Sequence, residues 1–422
     1  MNIEEKAMYC LSCKNKNCMK GCPLSNDITD MIKFVKEKDY IKAFERITQT
    51  TILSSICGRV CPHTKQCQGS CVRGIRGESV EIGKIEAFIG DYGIDNNIEI
   101  KNLSEYKELD KSVAVIGSGP CGITCAATLK RLGIKKVDLY EKKSYLGGLL
   151  VHGIPEFRLP KDIVKKVYEK IINLGIDVKY NMELGKNIAL KDLRSKYDAV
   201  FIAIGANKSS KMNIAGEDLI GVYGGNELLE YKNYPDFNGK NVAVIGGGNV
   251  AMDAARTIKK LGADHVYVIY RRAEEQMPAE KKEIKDAKDE GIEFKFLNNI
   301  IKILGKDKVE KIECIKTELI FEEGKRPYPV NIDNSNYFLD MDYVVLAIGS
   351  CLEKNVIDDL EKNECEKIKI DENYRTNIEN VYAAGDAAGM KSTVAWASYS
   401  GREAAKKIYN DLKENNKWIK IL

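Results

Sequence analysis

The stretch "SVAVIGSGPCGITCAATLKRLGIKKVDLYEK", residues 112–142, holds a short apolar run, a glycine-rich turn, a helical pattern and a second apolar run. Gly117, Gly119 and Gly122 follow the spacing G-x-G-x-x-G between a predicted strand and a predicted helix. Glycines at these positions allow a tight turn and let the backbone approach a pyrophosphate at the helix N-terminus. Glu141 ends the second run, where a carboxylate accepts hydrogen bonds from ribose hydroxyls. The stretch therefore predicts a parallel α/β nucleotide-binding unit rather than a chance glycine-rich turn.

The same plan recurs further along the chain, in "NVAVIGGGNVAMDAARTIKKLGADHVYVIYRR" (241–272). From the first glycine to the end of the second apolar run there are 24 residues in both units. Each unit is followed by a similar piece, "YDAVFIAIGA" (197–206) and "MDYVVLAIGS" (341–350). This internal duplication predicts two related dinucleotide-binding units in one chain.

The two units differ in charge at the end of the second strand. The second turn has Gly246 and Gly248 with Ala251 as the third small residue, and its strand leads into Arg271 and Arg272. A carboxylate there would repel a 2′-phosphate, whereas two guanidinium groups bind it through charge-assisted hydrogen bonds. The second unit is therefore expected to prefer NADP(H) to NAD(H), the alternative being that the two arginines are solvated surface charges.

A third motif lies near the C-terminus, in "NVYAAGDAAGMKSTVAWASYSGREAAKKI" (380–408). It is typical of a strand that leads into Gly385 and Asp386, followed by a turn and a helix from about Thr393. Asp386 would suit a hydrogen bond to a ribityl hydroxyl of a flavin, and the positive helix end would lie near the flavin ring. The simpler interpretation is that Asp386 is only a turn residue and helix cap.

The composition excludes several other classes of protein. The 422 residues are 44% hydrophobic and 30% charged, enough for two or three domains, and the net charge of +4 gives no case for nucleic-acid binding. No apolar run is long enough to span a membrane, and the first residues lack the apolar segment of a secretory signal. We therefore expect a cytoplasmic protein without a membrane partner, whose thiols are reduced.

Eight of the thirteen cysteines lie in residues 10–71, beginning with "CLSCKNKNCMKGCP" (10–23). The spacing is Cys-x2-Cys-x4-Cys-x3-Cys-Pro, followed by Cys-x3-Cys-Pro and Cys-x3-Cys. Structural zinc favours two separated C-x2-C pairs, and only one occurs here. A run of four cysteines before a proline is closer to two-cluster ferredoxins, and a flavin downstream would explain why clusters are needed. Iron–sulfur clusters are therefore preferred to zinc, and disulfides are the least favoured.

The fold class predicted from these features is α/β, with a helical N-terminal domain followed by two Rossmann-like domains. The helical pattern in residues 1–110 comes from apolar residues at i, i+3, i+4 and i+7, and Asn96 to Lys111 is predicted to be a linker. The flavin motifs flank the second unit, so the FAD domain is expected to be discontinuous. The predicted domains are a helical cluster domain (1–110), an NAD(P)H domain (225–345), and an FAD domain made of an N-terminal segment (111–224) and a C-terminal segment (346–422).

In their order along the chain, the cysteine segment, G-x-G-P-x-G, "GGLLVHGIPEFRLPK" (147–161), "GGGNVAMDAAR" and "AAGD" together resemble the small (beta) subunit of NADPH-dependent glutamate synthase. Similar proteins are the electron-input portion of dihydropyrimidine dehydrogenase and the large subunit of ferredoxin:NADP transhydrogenase. The resemblance implies FAD in the first unit, NADPH in the second and two [4Fe-4S] clusters in the N-terminal domain.

The resemblance also implies which residues hold each cofactor. The FAD residues would be Gly117, Ser118, Gly119, Gly122, Glu141, Gly148, Arg158, Asp386 and Thr393. Those for NADPH would be Gly246, Gly248, Asn249, Val250, Arg271 and Arg272. The first cluster would be held by Cys10, Cys13, Cys18 and Cys71, and the second by Cys22, Cys61, Cys67 and Glu86. Cys57 remains the alternative to Glu86 as the eighth ligand.

The resemblance implies an electron-input oxidoreductase in which a hydride passes from NADPH to FAD and single electrons leave through the clusters. The cofactors perform this chemistry, so no catalytic acid or base is assigned. The expected partner, in a hetero-oligomer, is a glutamate synthase large chain; the alternatives are a dihydropyrimidine dehydrogenase subunit or ferredoxin. A hypothesis of another class is a zinc-stabilised docking module attached to a nucleotide-sensing body.

Overall fold

In the computed structural model, which describes residues 2–103, 107–353 and 359–414, the N-terminal region is helical, as predicted. Its helices are α1 (Ile3–Met8), α2 (Asn17–Lys20), α3 (Ile28–Lys36), α4 (Tyr40–Ile47), α5 (Ser54–Val60) and α6 (Ile82–Asp95). Short 3-10 turns lie at His63–Lys65 and Val72–Ile75, between α5 and α6. The connections between these helices carry most of the clustered cysteines.

Helices α3 and α4 follow the apolar periodicity of the sequence. The side chains of Ile28, Met31, Ile32 and Val35 are all buried along α3, and α4 buries Phe44 in the same way. Burying an aliphatic or aromatic side chain of this size stabilises the fold by roughly 1.5–3 kcal/mol. Asp27 begins α3 by accepting a hydrogen bond from the backbone N–H of Asp30, as an N-cap residue does.

The first nucleotide-binding unit begins with alternating strands and helices. These are β1 (Leu109–Ile116), α7 (Pro120–Arg131), β2 (Ile134–Tyr140), α8 (Leu149–His152), α9 (Lys161–Ile172), β3 (Asp177–Lys179), α10 (Leu190–Lys196) and β4 (Ala199–Ile202). The predicted linker Asn96–Lys111 is partly wrong, because its last three residues belong to β1 and Ile100 is buried. Residues 104–106 of that segment lie outside the described residues.

The second unit has a parallel sheet, a larger antiparallel sheet and a short two-stranded antiparallel sheet. Its elements are β5 (Lys208–Ser209), β6 (Val222–Gly224), α11 (Gly225–Tyr231), β7 (Asn241–Ile245), α12 (Asn249–Lys260), β8 (His265–Tyr270), α13 (Lys281–Asp289), β9 (Glu293–Phe296), β10 (Asn298–Leu304), β11 (Lys311–Ile320), β12 (Tyr328–Asn331), β13 (Tyr337–Asp340), β14 (Tyr343–Leu346) and β15 (Ser350–Cys351). The parallel order is β6-β14-β7-β8-β9, and β11 pairs with β10, β12 and β13 in the antiparallel sheet.

The parallel sheet of the second unit is covered on both faces. Val242 and Val244 of β7 pack into one apolar cluster with α12 and α13 residues. Ala243 and Ile245 point the other way, into a cluster that includes Ile312 of the antiparallel sheet. This alternation along the strand is what a three-layer arrangement requires, because successive side chains of a strand point to opposite faces.

The chain then returns to the first unit through β16 (Val381–Ala383), a 3-10 turn at Gly385–Ala388 and α14 (Val394–Glu414). With this strand the order of the first parallel sheet is β16-β4-β1-β2-β3. Strand β16 therefore joins the sheet that contains β1, although the second unit separates them in sequence. The two flavin motifs predicted from the sequence belong to one sheet.

The described residues fall into two compact units. The first comprises the described portions of Met1–Val151, Glu156–Ala206 and Leu352–Leu422, and the second comprises His152–Pro155 and Asn207–Cys351. The predicted insertion, 225–345, lies inside the second unit, and β6 lies just before that range. The first unit contains both the cysteine-bearing helices and the sheet with β1, so this division does not separate residues 1–110 from the FAD domain.

Within the described residues, no helix is long and apolar enough to cross a membrane.

Candidate functional site

The first cysteine group converges on one pocket in the N-terminal region. Cys10, Cys13, Cys18 and Cys71 all line it, although Cys71 is far from the other three in sequence. Apolar side chains of α3, including Ile28 and Ile32, form a section of the same wall. The four cysteines are neither fully buried nor freely exposed. Four thiols around one partly apolar pocket form a donor set that suits an iron–sulfur cluster.

The electrostatics of this pocket disfavour unliganded thiolates. Burial is the main cause that raises the pKa of Cys18 to about 11, and the neighbouring thiols of Cys10 and Cys71 act in the same direction. Burial and neighbouring thiols thus disfavour the thiolate form of Cys18, and a bound positive centre would favour it. The residues present therefore fit a group that supplies positive charge to all four sulfur atoms.

The second group surrounds a buried carboxyl group. Glu86 lies on α6 with 5% of its surface exposed, and burial raises its pKa to about 8. Burial raises the pKa of Cys22 to about 12, and Glu86 is the next largest cause. Burial and then Glu86 also raise the pKa of Cys67. The structure thus brings Glu86 together with cysteines that the sequence places in two separate segments.

Cys61 and Cys57 complete the surroundings of Glu86. A hydrogen bond with Cys57 is the largest cause of the raised pKa of the Cys61 thiol, followed by burial and by the charges of Cys57 and Glu86. Cys57 is 1% exposed and lies on α5, one turn before Cys61. Both Glu86 and Cys57 are therefore close enough to the second group to act on its thiols.

Asn26 is a neighbour of this second group that sequence reasoning missed. Its side-chain Nδ2 donates to Oε1 of Glu86 at 3.3 Å, and its Oδ1 accepts from Thr50 at 2.7 Å. Asn26 is 1% exposed, so it holds the buried carboxyl group in a fixed orientation. Its position four residues after Cys22 was the only signal in the sequence.

Among residues 2–103, 107–353 and 359–414, no group of three or more His, Cys, Asp or Glu side chains is arranged to hold a single metal ion.

The first glycine turn is fastened from beneath by Glu141. Gly117 has a φ of +99°, a conformation that favours glycine. The backbone N–H of Ser118 donates to Oε2 of Glu141 at 3.0 Å, and that of Lys143 donates to Oε1 at 2.8 Å. The hydroxyl of Ser118 also donates to Oε2. Glu141 is therefore a buried support of the turn, with acceptor capacity left on Oε1 for a ribose hydroxyl.

Open space lies above this turn. A Cβ atom added at Gly119 would meet no atom within 4 Å, whereas one added at Gly122 would lie 1.8 Å from the carbonyl oxygen of Gly117. A Cβ at Gly148 would lie 3.1 Å from the Cα of Gly119, so the segment containing Gly148 borders the same space. Arg158 lies in the connection between α8 and α9. This open cradle at the start of α7 fits the pyrophosphate of a dinucleotide.

Asp386 and Thr393 lie at the other end of the flavin motif. The Oδ1 atom of Asp386 is buried and has no hydrogen-bond partner among the described residues. Burial raises the pKa of this carboxyl group. Thr393 Oγ1 accepts a hydrogen bond from the backbone N–H of Trp396 at 3.2 Å, so Thr393 caps α14. The cap is thus Thr393, and Asp386 retains an acceptor that fits a hydroxyl of a bound group.

The second glycine turn repeats the first in the other unit. Gly246 has a φ of +142°, and Gly248 is the N-cap residue of α12. Asn249 Oδ1 accepts a hydrogen bond from the backbone N–H of Glu280 at 3.1 Å, so it anchors the segment that follows β8. Val250 is half-buried in the first turn of α12. These four predicted residues form a cradle of the same kind as that around Gly117.

Arg271 and Arg272 follow β8, but their side chains differ in surroundings. The side chain of Arg271 is exposed, and the backbone carbonyl of Arg271 accepts from Thr317 at 3.0 Å. Arg272 is half-buried, and its Nε donates to the carbonyl of Pro327 at 3.0 Å. Of these two arginines, only Arg271 has a guanidinium group that is free of hydrogen bonds within the described residues.

Two family models cover almost the whole chain. Residues 97–404 match the pyridine nucleotide-disulphide oxidoreductase family, and residues 1–98 match the dihydropyrimidine dehydrogenase domain II, 4Fe-4S cluster. The glutamate synthase [NADPH] small chain of Escherichia coli is 35% identical, over 97% of this chain and 91% of that protein. The chain belongs to the glutamate synthase small-chain family. It is accordingly an NADPH-dependent oxidoreductase with FAD and a 4Fe-4S domain, which sets aside the zinc hypothesis.

One further sequence relative and one solved structure are also similar to the chain. The NADP(+)-dependent formate dehydrogenase subunit beta of Moorella thermoacetica is 34% identical, over 94% of this chain and 60% of that protein. The solved structure of Mycobacterium tuberculosis FprA in complex with NADPH is 21% identical, with a TM-score of 0.66 over 72% of this chain and 85% of that chain. The latter likeness concerns the fold of the two nucleotide-binding units.

Proposed function

We propose that this chain is the electron-input subunit of a two-subunit enzyme whose other subunit is a glutamate synthase large chain. NADPH gives a hydride to FAD, and single electrons then leave through two [4Fe-4S] clusters. The observation that carries this proposal is that both cysteine groups and the flavin cradle belong to one compact unit. A reducing compartment such as the cytoplasm would keep these clustered cysteines reduced and able to bind iron.

Helix α14, which begins at the flavin motif, is anchored to the backbone near the second cysteine group. The guanidinium of Arg402, on α14, donates to the carbonyl of Leu24 at 2.9 Å and to that of Thr50 at 2.8 Å. Leu24 is two residues from Cys22, and α14 begins beside Thr393. Arg402 therefore fastens the helix that starts at the flavin cradle to the backbone that carries the second group.

The first cysteine group is a better point than the second for electrons to leave toward the partner subunit. Cys18 of the first group raises the pKa of Cys67 of the second, after burial, Glu86 and Cys22, so the two groups are neighbours. Exposed apolar side chains also lie close in sequence to the cysteines of the first group, and we infer that they contribute to the contact with the partner subunit. These are Met8 (65% exposed), Leu11 (55%), Val72 (37%) and Ile75 (77%). We infer the order flavin, second cluster, first cluster, partner subunit.

Glu86 is the ligand we propose to complete the second cluster. It raises the pKa of all three cysteines assigned to that cluster, whereas Cys57 acts on Cys22 and Cys61. Within the described residues the buried Glu86 carboxyl group accepts one hydrogen bond, at 3.3 Å, and a bound metal ion would stabilise its charged form, which burial disfavours. An oxygen ligand should also set the second cluster's potential apart from that of an all-cysteine cluster.

The ligand proposal is tested by counting iron in two variants prepared without oxygen. The unchanged chain should hold about eight irons, two four-iron clusters. Glu86→Ala should lose the second cluster and retain about four irons, because one of its four ligands is gone. Cys57→Ala is the matched control, a buried neighbour expected to retain about eight irons. Full iron content in Glu86→Ala together with loss in Cys57→Ala would assign the ligand to Cys57.

The proposed function is tested by adding NADPH to the purified chain and by purifying the native complex. NADPH added anaerobically to the chain alone should bleach both the flavin and the iron–sulfur absorption, while turnover should require an artificial electron acceptor. Anaerobic purification of the native complex should yield a glutamate synthase large chain. If a dihydropyrimidine dehydrogenase subunit or a ferredoxin accompanies it instead, the proposed partner is wrong but the electron route stands. A chain that is not bleached by NADPH would overturn the route.

A further inference from the structure

A third arginine lies beside the end of β8, 56 residues from Tyr270 along the chain. Arg326 belongs to the turn between β11 and β12, whose last antiparallel pair is Ile320 and Tyr328. Its Nη2 donates to the backbone carbonyl of Gln276 at 2.6 Å and lies 3.3 Å from the hydroxyl of Tyr270. These contacts fix the Arg326 guanidinium at the strand end that carries Arg271.

Tyr270 connects this guanidinium to the second glycine turn. A Cβ atom added at Gly247 would lie 2.7 Å from ring atoms of Tyr270, so the ring packs directly against the turn. The Tyr270 hydroxyl donates to the same Gln276 carbonyl at 2.9 Å. In dinucleotide-binding units the adenosine ribose lies over the end of this strand, beside the turn that takes the pyrophosphate. Arg326 therefore borders the place where a 2′-phosphate would lie.

The charge at this place is not compensated by the protein. Within the described residues, none of Arg271, Arg272 and Arg326 forms an ion pair with a carboxylate. The nearby carboxylate of Glu274 is already paired with Lys288 at 2.7 Å. Guanidinium groups without an acidic partner can give a phosphate several charge-assisted hydrogen bonds.

Arg272 has a different role in this arrangement. Its Nε donates to the carbonyl of Pro327, the residue that follows Arg326, so it fastens the turn to the end of β8. A proline also biases the preceding residue toward an extended backbone, which limits the conformations of Arg326. Arg272 is thus placed to position Arg326, whereas Arg271 and Arg326 offer guanidinium N–H groups that no described residue uses.

We propose that Arg326 binds the 2′-phosphate of NADPH together with Arg271, and that Arg272 holds the turn carrying Arg326 in place. This assignment rests on the proposed nucleotide site of the second unit and adds a specificity residue that its glycine motif does not contain. Arg326 comes from an antiparallel hairpin, so the preference for NADPH depends on two sheets of the unit rather than one.

The test compares two nucleotide fragments that differ by the phosphate in question, 2′,5′-ADP and 5′-AMP. Their affinities are measured by calorimetry on the full chain with its cofactors. Arg326→Ala should lower the affinity for 2′,5′-ADP about tenfold or more, because a hydrogen bond to a charged group is lost. The affinity for 5′-AMP should stay within about twofold. Lys325→Ala is the matched control, because Lys325 is its exposed neighbour and pairs with Glu322 at 2.7 Å.

The outcomes separate this assignment from the wider proposal. If the unchanged chain binds both fragments equally, the second unit does not select NADPH and the site assignment itself fails. If the unchanged chain discriminates and Arg271→Ala/Arg272→Ala loses that discrimination while Arg326→Ala keeps it, only the role of Arg326 is overturned. Equal weakening of both fragments in Arg326→Ala would show a structural role and would overturn it as well.

Discussion

The two glycine turns share a backbone plan but differ in how they are supported. The position that is Glu141 in the first unit corresponds to Tyr270 in the second, 24 residues after the first glycine in each. Glu141 accepts hydrogen bonds from the turn and from Lys143. Tyr270 instead packs its ring against Gly247. A buried carboxylate and an aromatic ring thus perform the same supporting task.

The residue that supports each turn also affects which ribose the turn accepts, with or without a 2′-phosphate. A carboxylate below the turn adds negative charge where a 2′-phosphate would lie, so the first unit suits a ribose with free hydroxyls. The Tyr270 ring is neutral and leaves the strand end available to arginine side chains. Whether the residue that supports the turn is Glu141 or Tyr270 therefore determines the charge at the end of the strand.

The third small residue of each motif shows a second difference. In the first unit an added Cβ at Gly122 would lie 1.8 Å from the carbonyl oxygen of Gly117, so no side chain fits. In the second unit the same position is Ala251, which is fully buried in the apolar cluster beneath the sheet. The first turn lies closer to its helix than the second turn does.

The largest effect is expected for Gly122→Ala. Its methyl group cannot fit beside the Gly117 carbonyl, so the turn must shift, at a cost of roughly 1–3 kcal/mol or more in the free energy of unfolding. The purified variant should hold little FAD, measured by flavin absorbance per chain, and should melt at a lower temperature even without flavin.

Gly119→Ala is the control that separates folding from binding. Its methyl group would meet no protein atom within 4 Å, so the flavin-free chain should melt as the unchanged chain does. Because that methyl group occupies the open cradle, FAD binding should still be lost. Normal flavin content in Gly119→Ala would show that the pyrophosphate lies elsewhere, and normal stability in Gly122→Ala would show that the turn yields easily.

Both glycine turns could be predicted from the sequence because each is local. Strand, turn and helix follow one another within about thirty residues, and the apolar pattern of α3 is equally local. The comparison with known proteins confirmed the α/β fold class, the family, and the FAD, NADPH and 4Fe-4S cofactors. The assignments of individual residues, including Glu86, stay predictions.

What the sequence could not show depends on contacts between distant segments. Asn26 reaches Glu86 across 60 residues, and Arg326 reaches Tyr270 across 56. Neither residue belongs to a motif, and their side chains meet these partners only after the helices or sheets have packed. Arg326 lies in a turn of the antiparallel sheet, whose strands follow β8 and precede β14 in sequence. No glycine motif marks this sheet, so the sequence did not indicate that one of its turns reaches Tyr270.

The smallest effect is expected for Ala251→Gly, which gives the second turn the third residue of the first. The loss of one buried methyl group and the greater backbone freedom of glycine in a helix should destabilise the unit by about 1–2 kcal/mol. No atom of the cradle is changed, so NADPH affinity should stay within about twofold, measured by titration below the melting temperature. A large loss of NADPH affinity at unchanged stability would mean that Ala251 shapes the nucleotide site, and the two turns would then differ in binding as well as in packing.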